Sequence, residues 1–175
     1  MDLPFVIGMD PGISGAIAVL RADGGLVEVA DMPVNVVERK RPGGKVSRRS
    51  SIDPGRVGLI LETYVGKASV VIEHSSARPD EGGTSAHSTG TGYGILIGAT
   101  GALKFPFEIV HPATWKKRMR LGRDKGESRL MASRRWPGSS SLFARVKDDG
   151  RAEAALIALW AVETRREDVA AEMGF

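Results

Sequence analysis

The sequence predicts an α/β layered domain, a mixed five-stranded sheet with helices on both faces. Three observations lead there. Short aliphatic and β-branched runs bounded by turn residues alternate with stretches of helical period, the pattern of a layered α/β unit. The first three runs follow one another with only tight turns between them, so the sheet opens antiparallel. The chain has 175 residues, 42% hydrophobic and 26% charged, which is about one domain's worth of chain with enough apolar residues for one core.

Phe5-Val6-Ile7-Gly8-Met9-Asp10 predicts the first strand and Gly15–Leu20 its hairpin neighbour. Leu26–Ala30 follows as a third strand after the turn at Asp23-Gly24-Gly25. Arg39–Ser51 then predicts a basic, mobile loop, since its charges and Pro42-Gly43-Gly44 leave little to pack. Asp53-Pro54 supplies an N-cap and a first-turn proline for a helix through about Tyr64, with Val57, Ile60 and Leu61 at helical spacing. Ser69–Glu73 is a fourth, buried strand, and a polar, glycine-rich segment leads from His74 to Thr91. A helix near Gly92–Leu103 carries Gly94, Gly98 and Gly101 at i, i+4 and i+7, a bare stripe suited either to a second copy of the chain or to packing on its own sheet. Phe107–Val110 is a fifth strand, and helices are expected near Ala113–Leu121, Lys125–Trp136 and Asp149–Arg165.

Composition narrows the chemistry. The chain has no cysteine, so thiolate metal sites, disulfides and cysteine nucleophiles are excluded. His74, His87 and His111 lack metal-pair spacing, so a metal would be held mainly by oxygen. Met1-Asp2-Leu3-Pro4 lacks a basic leader, and the longest apolar stretches fall short of the roughly 18 residues of a membrane span, so a soluble, cytoplasmic protein with no membrane partner is expected. The net charge is only +4, yet Arg39–Ser51 holds six basic residues and no acid, and His111–Arg135 holds nine basic against two acidic. One such run is an ordinary solvated face. Two, on a remainder that is net acidic, point to a polyanion, with nucleic acid the leading partner.

Acids stand where strands end. Asp10 closes the first strand ahead of Pro11-Gly12, and Glu73 closes the fourth, positions where open α/β sheets place their ligands. Asp-Pro-Gly is also good turn chemistry, and Glu73 could be an edge residue facing water. Asp148-Asp149-Gly150-Arg151-Ala152-Glu153 precedes the most apolar helix. Asp149 and Glu153, four apart, share a helix face and repel unless a cation lies between them. Read alone, the cluster is an N-cap with a first-turn dipole partner. Together with Asp10 and Glu73 it gives four carboxylates able to converge on two Mg²⁺ ions about 4 Å apart, the arrangement for phosphodiester hydrolysis.

Ile7–Ala16, the strand-end Glu73, the glycine-rich Thr84–Gly98 segment, His111-Pro112-Ala113-Thr114-Trp115-Lys116-Lys117 and Asp149-Gly150-Arg151-Ala152-Glu153-Ala154 resemble RuvC-type Holliday junction resolvases across nearly the whole chain. The Gly-Arg-Ala-Glu form is similar to their chloroplast and phage-like branch. The resemblance implies one ribonuclease H-like domain over residues 1–175, Mg²⁺ dependence with Mn²⁺ as substitute, a homodimer, and paired cuts across a four-way DNA junction. Asp10, Glu73, Asp149 and Glu153 would be the catalytic, metal-binding acids. Arg39, Lys40, Arg41, Lys45, Arg48 and Arg49, with Lys116, Lys117, Arg118 and Arg120, would hold phosphates without reading bases. Bacterial members carry two aspartates three apart in the last motif and an aromatic after the strand glutamate; here an Asp and a Glu lie four apart and His74-Ser75-Ser76-Ala77 follows Glu73. Trp115 is expected as a core anchor. Three rival functions remain. A nuclease of the same fold acting on an RNA–DNA hybrid is the nearest, an actin-like kinase lacks its second phosphate subdomain, and a non-cleaving junction binder gains nothing from acids facing DNA.

Overall fold

The computed structural model describes residues 3–40, 42–77, 80, 82–122 and 124–172. In chain order these form β1 (Phe5–Asp10), β2 (Ala16–Arg21), β3 (Leu26–Asp31), β4 (Val34–Lys40), β5 (Val46–Ile52), α1 (Pro54–Glu62), β6 (Ala68–Glu73), α2 (Gly83–Ala102), β7 (Phe107–Val110), α3 (Pro112–Arg118), α4 (Lys125–Arg135) and α5 (Asp149–Glu172), with two short 3₁₀ segments, Pro137–Phe143 and Val146–Asp148, between α4 and α5. The five predicted strands make one mixed sheet in the order β3-β2-β1-β6-β7. β1 pairs antiparallel with β2 and parallel with β6, and β6 parallel with β7.

The period-two alternation of the strands decides which helices cover which face. Val6, Ala18, Leu20 and Val71 point to one side, where α3, α4 and α5 contribute Trp115, Ala132, Leu156 and Leu159. Ile7, Met9, Ile17, Val19, Val70 and Ile72 point to the other, against Val57 and Leu61 of α1 and Leu96 of α2. Burial on both faces explains why these strands are nearly continuous apolar runs. α5 lies unusually close to the sheet. A Cβ on Gly8 would stand 2.2 Å from the Ala154 carbonyl oxygen, and one on Gly150 would stand 2.4 Å from the Ser14 carbonyl oxygen. Only glycine at both positions lets the start of α5 settle beside the turn that follows β1.

Three expectations are corrected, and a fourth point left open by the sequence is narrowed. The basic segment is not a loop: β4 and β5 pair antiparallel from Val34↔Ile52 to Lys40↔Val46 as a separate two-stranded sheet. Its turn uses left-handed Gly43 and Gly44, at φ +85° and +80°, and its neck is closed by the Asp53 N–H donating to the Pro33 carbonyl at 2.9 Å. Val36, Val37 and Val46 are exposed and, among the described residues of the hairpin, only Ile52, at its base, is buried, so little burial imposes an alternation on the sequence. α1 ends at Glu62, and Tyr64 packs from the turn beyond it. α2 begins at Gly83, some nine residues before the apolar run that revealed it. The glycine stripe does not pack on the sheet: a Cβ on Gly94, Gly98 or Gly101 would meet nothing within 4 Å. Among the described residues no helix is long and apolar enough to cross a membrane.

Candidate metal centre and nucleic-acid surface

Because Met9 of β1 lies opposite Ile72 of the parallel β6, the next residues, Asp10 and Glu73, emerge side by side at the carboxyl edge of the sheet. Glu153, one turn into α5 and only 6% exposed, is brought to the same point by the close seating of α5 at Gly8 and Gly150. Carboxylate oxygens of Asp10, Glu73 and Glu153 all lie within 4.8 Å of one another. At an effective dielectric of about 20, charges this close repel by on the order of 3 kcal/mol per pair, a cost that a cation among them removes.

α3 reaches these acids because β7 runs parallel to β6, with Val110 opposite Glu73, and Pro112 starts the helix two residues later. The Trp115 indole Nε1–H donates to Glu73 Oε1 at 2.7 Å. Lys116 Nζ donates to Glu153 Oε1, also at 2.7 Å. Trp115 is fully buried, as expected of a core anchor, but its polar end serves an acid. Lys116, expected on phosphates, is turned inward to Glu153, and Arg118 is engaged by Glu167 on α5. Lys117 and Arg120 are exposed.

The two neighbouring aspartates separate cleanly. Asp148 is 1% exposed and accepts hydrogen bonds from the Arg145 backbone N–H and guanidinium, each at 2.8 Å; these bonds hold its carboxyl below the usual carboxylate range. It is a structural cap. Asp149, the first residue of α5, is paired with Arg129 of α4 at 3.2 Å and lies outside the group of three. Its Oδ1 is buried without a hydrogen bond, as is Arg129 Nη1. Arg151, in the same motif, ties α5 to the end of β3 through Asp31 at 2.7 Å, which lowers the Asp31 pKa.

On the hairpin, Lys40, Lys45, Arg48 and Arg49 are exposed, and Arg48 pairs across the strands with Glu38 at 2.7 Å. Arg41 and the Arg39 side chain lie outside the described residues. A cavity of about 390 Å³ lies between the turn after Asp10, β5 of the hairpin and α2; Ser14, Arg49, Ser51, His87, Ser88 and Thr91 are among its lining. Sequence reasoning placed Trp115 as a core anchor without its acceptor, and singled out neither Arg129 nor the setting of the His74 ring, which lies 4.3 Å from the His111 ring and 5.9 Å from Tyr93. Only the rule that a buried tryptophan seeks an acceptor could have singled out Trp115.

No family profile matches the chain. Two solved structures from Thermus thermophilus superpose over 93% of it: RuvC in complex with a Holliday junction substrate, at a TM-score of 0.60, and RuvC, at 0.54, each 20% identical and covered to 95% and 96%. The fold is that of RuvC. In sequence the chain is 29% identical over 154 residues to the chloroplastic Holliday junction resolvase MOC1 of Chlamydomonas reinhardtii; the match takes in 77% of this chain and 17% of that relative. The resemblance seen in the motifs thus holds for RuvC in fold and for a chloroplast resolvase in sequence. Within this RuvC fold the acids sit where β1 has an antiparallel neighbour on one side and a parallel one on the other. Their donor set, all oxygen, suits a hard divalent cation, while Asp149 Oδ1, one turn from Glu153, is paired with Arg129.

Proposed function

We propose that residues 1–175 act as one catalytic domain, a structure-selective endonuclease that resolves four-way DNA junctions by metal-dependent phosphodiester hydrolysis. The observation that carries this is the convergence of Asp10, Glu73 and Glu153 within 4.8 Å at the carboxyl edge of a RuvC sheet. The names of the similar proteins support the substrate, since one is a Holliday junction resolvase and another was solved on a Holliday junction.

Asp10, Glu73 and Glu153, joined by Asp149, would hold Mg²⁺ or Mn²⁺. When bound, divalent metal supplies an acidified water and positive charge at the departing 3′ oxygen. The chain's own residues do the placing. The glycine contacts fix α5 and with it Glu153, the paired strands fix Asp10 beside Glu73, and Arg129 holds Asp149 one turn away. Lys40, Lys45, Arg48 and Arg49, with Arg39 and Arg41 from the same hairpin and Lys117 and Arg120 beyond it, bind phosphates. Two symmetric cuts need two sites, so the working form is a C₂ dimer. The exposed glycine stripe of α2 and the neighbouring groove, with Leu59 at 68% exposure, supply a face for it.

The test is purified protein with Mg²⁺ on a four-way junction, a duplex, an RNA–DNA hybrid and a single strand, with light scattering on the junction complex. Paired, symmetric nicks confined to the junction by two chains per junction are expected. Preferential cutting of the hybrid would replace the substrate assignment, and coupled cuts by a lasting monomer would defeat the dimer.

A further inference from the structure

Two buried tryptophans of this chain use their indole N–H groups differently. Trp136 donates to the Gly24 carbonyl at 3.0 Å, a contact between the end of α4 and the β2–β3 turn that involves no ionisable group. Trp115 donates to Glu73 Oε1 at 2.7 Å. Its ring is locked in the core cluster with Val110, Met119 and Leu156, so the donor has little freedom to move. An indole N–H can only donate, so Glu73 Oε1 is the acceptor and is held in one place. A glutamate has three rotatable side-chain bonds, and a ligand left free to sample them must be ordered each time a cation binds. Here one oxygen is already held by the core.

We propose that Trp115 is a positioning residue for the metal centre, presenting the Glu73 carboxylate to a divalent cation in a single orientation. The proposal rests on the reading that Asp10, Glu73 and Glu153 hold the metal. It adds that the core of the protein, through α3, sets how tightly they do so. Hydrogen-bond partners of metal ligands typically change affinity by about 10- to 100-fold, and Trp115 belongs in that range.

The experiment is calorimetric titration with Mn²⁺ in the absence of nucleic acid, on the unaltered chain and on Trp115→Phe, Trp136→Phe, Glu73→Gln and the double variant Trp115→Phe/Glu73→Gln. Trp115→Phe is expected to weaken Mn²⁺ binding by about 10- to 100-fold. Trp136→Phe should lower the melting temperature without changing the affinity. Once Glu73 is Gln, Trp115→Phe should have no further effect on affinity. In the unaltered chain labelled with ¹⁵N-tryptophan, the Trp115 indole resonance should move on Mg²⁺ addition while that of Trp136 stays in place. Unchanged Mn²⁺ affinity in folded Trp115→Phe overturns the proposal. If that variant does not fold, an indole resonance unmoved at saturating Mg²⁺ overturns it instead. Absence of metal binding by the unaltered chain, visible before any variant is made, overturns the metal reading and this proposal together. A failure confined to Trp115→Phe leaves the metal reading standing.

Discussion

The two basic stretches are alike in the sequence, but in the structure cations of the second are drawn onto the protein's own acids more than those of the first. Along the β4–β5 hairpin, Lys40, Lys45 and Arg49 are exposed to solvent. In the α3–α4 stretch, Lys116 turns to Glu153, Arg118 to Glu167 and Arg129 to Asp149. A run of positive charge says that anions are near, but not whether they belong to a partner or to the protein. What separates the cases is the supply of acids: Glu38 is the sole one between Val34 and Ile52, whereas α3 and α4 pack beside α5, which carries acids along its length.

The largest expected effect is on Asp10 and Glu73, which share with Glu153, the acid that Lys116 serves, one cluster of carboxylates. Asp10→Asn or Glu73→Gln should lower single-turnover cleavage by about a thousandfold or more, the several kcal/mol of charge stabilisation lost with a metal ligand. Junction binding should hold or tighten in gel shifts, because a charge that repels phosphate is gone. Near-normal cleavage by either variant would remove that residue from the metal site.

The second effect tests the outward stretch directly. Replacing Lys40, Lys45 and Arg49 with Gln should reduce the slope of log affinity against log salt by about 0.9 for each lost phosphate contact on duplex arms. Arg118→Gln, whose charge is already met by Glu167, should leave the slope nearly unchanged. Equal slopes for the hairpin and α3 variants would erase the distinction between the two regions.

The smallest effect sharpens the inward case by separating structure from chemistry. Asp148→Asn should cost about 1.5–3 kcal/mol of stability at neutral pH, the range for hydrogen bonds to a charged group, with little loss of cleavage rate. The folded pKa of Asp148 is depressed by Arg145, so its contribution is complete above the unfolded value of about 3.9 and is lost as pH falls toward the lower native value. Denaturant melts of the two proteins should therefore differ at pH 7 and converge well below pH 4. A constant gap down to acid pH would mean that the carboxylate charge is not what stabilises the cap.

The central sheet was legible because burial leaves a trace in the sequence. Val6, Ile7, Val70, Val71 and Ile72 are apolar for reasons of packing on two faces, and Asp10 and Glu73 stand out by ending those runs. The hairpin left little trace because, among its described residues, only Ile52, at its base, reaches the core, while Val36, Val37 and Val46 stay exposed, and its pairing rests on backbone hydrogen bonds that any residue but proline can make. The first turns of α2 are rich in glycine, serine and threonine, weak helix formers, and their helicity comes from continuity with the buried turns at Gly92 and Leu96. At the site, residue identity located three converging acids, while the partners of those acids did not follow from it. Whether Lys116 faces DNA or Glu153 depends on how α3 sits against α5, a tertiary fact with no local signature.

The neck of the hairpin bears on how such a protein can diverge. Val34 and Ile52 are paired neighbours, and the Asp53–Pro33 bond closes the two ends just where they leave the body. Residues can therefore be added to or taken from the tip while the entry and exit points, and the strands behind them, stay where they are. Lengthening a closed loop is cheap, about 0.6 kcal/mol for each doubling. The arm proposed to bind phosphates can thus be lengthened, shortened or exchanged for another as an interchangeable attachment, with the cluster of acids behind it left as it stands.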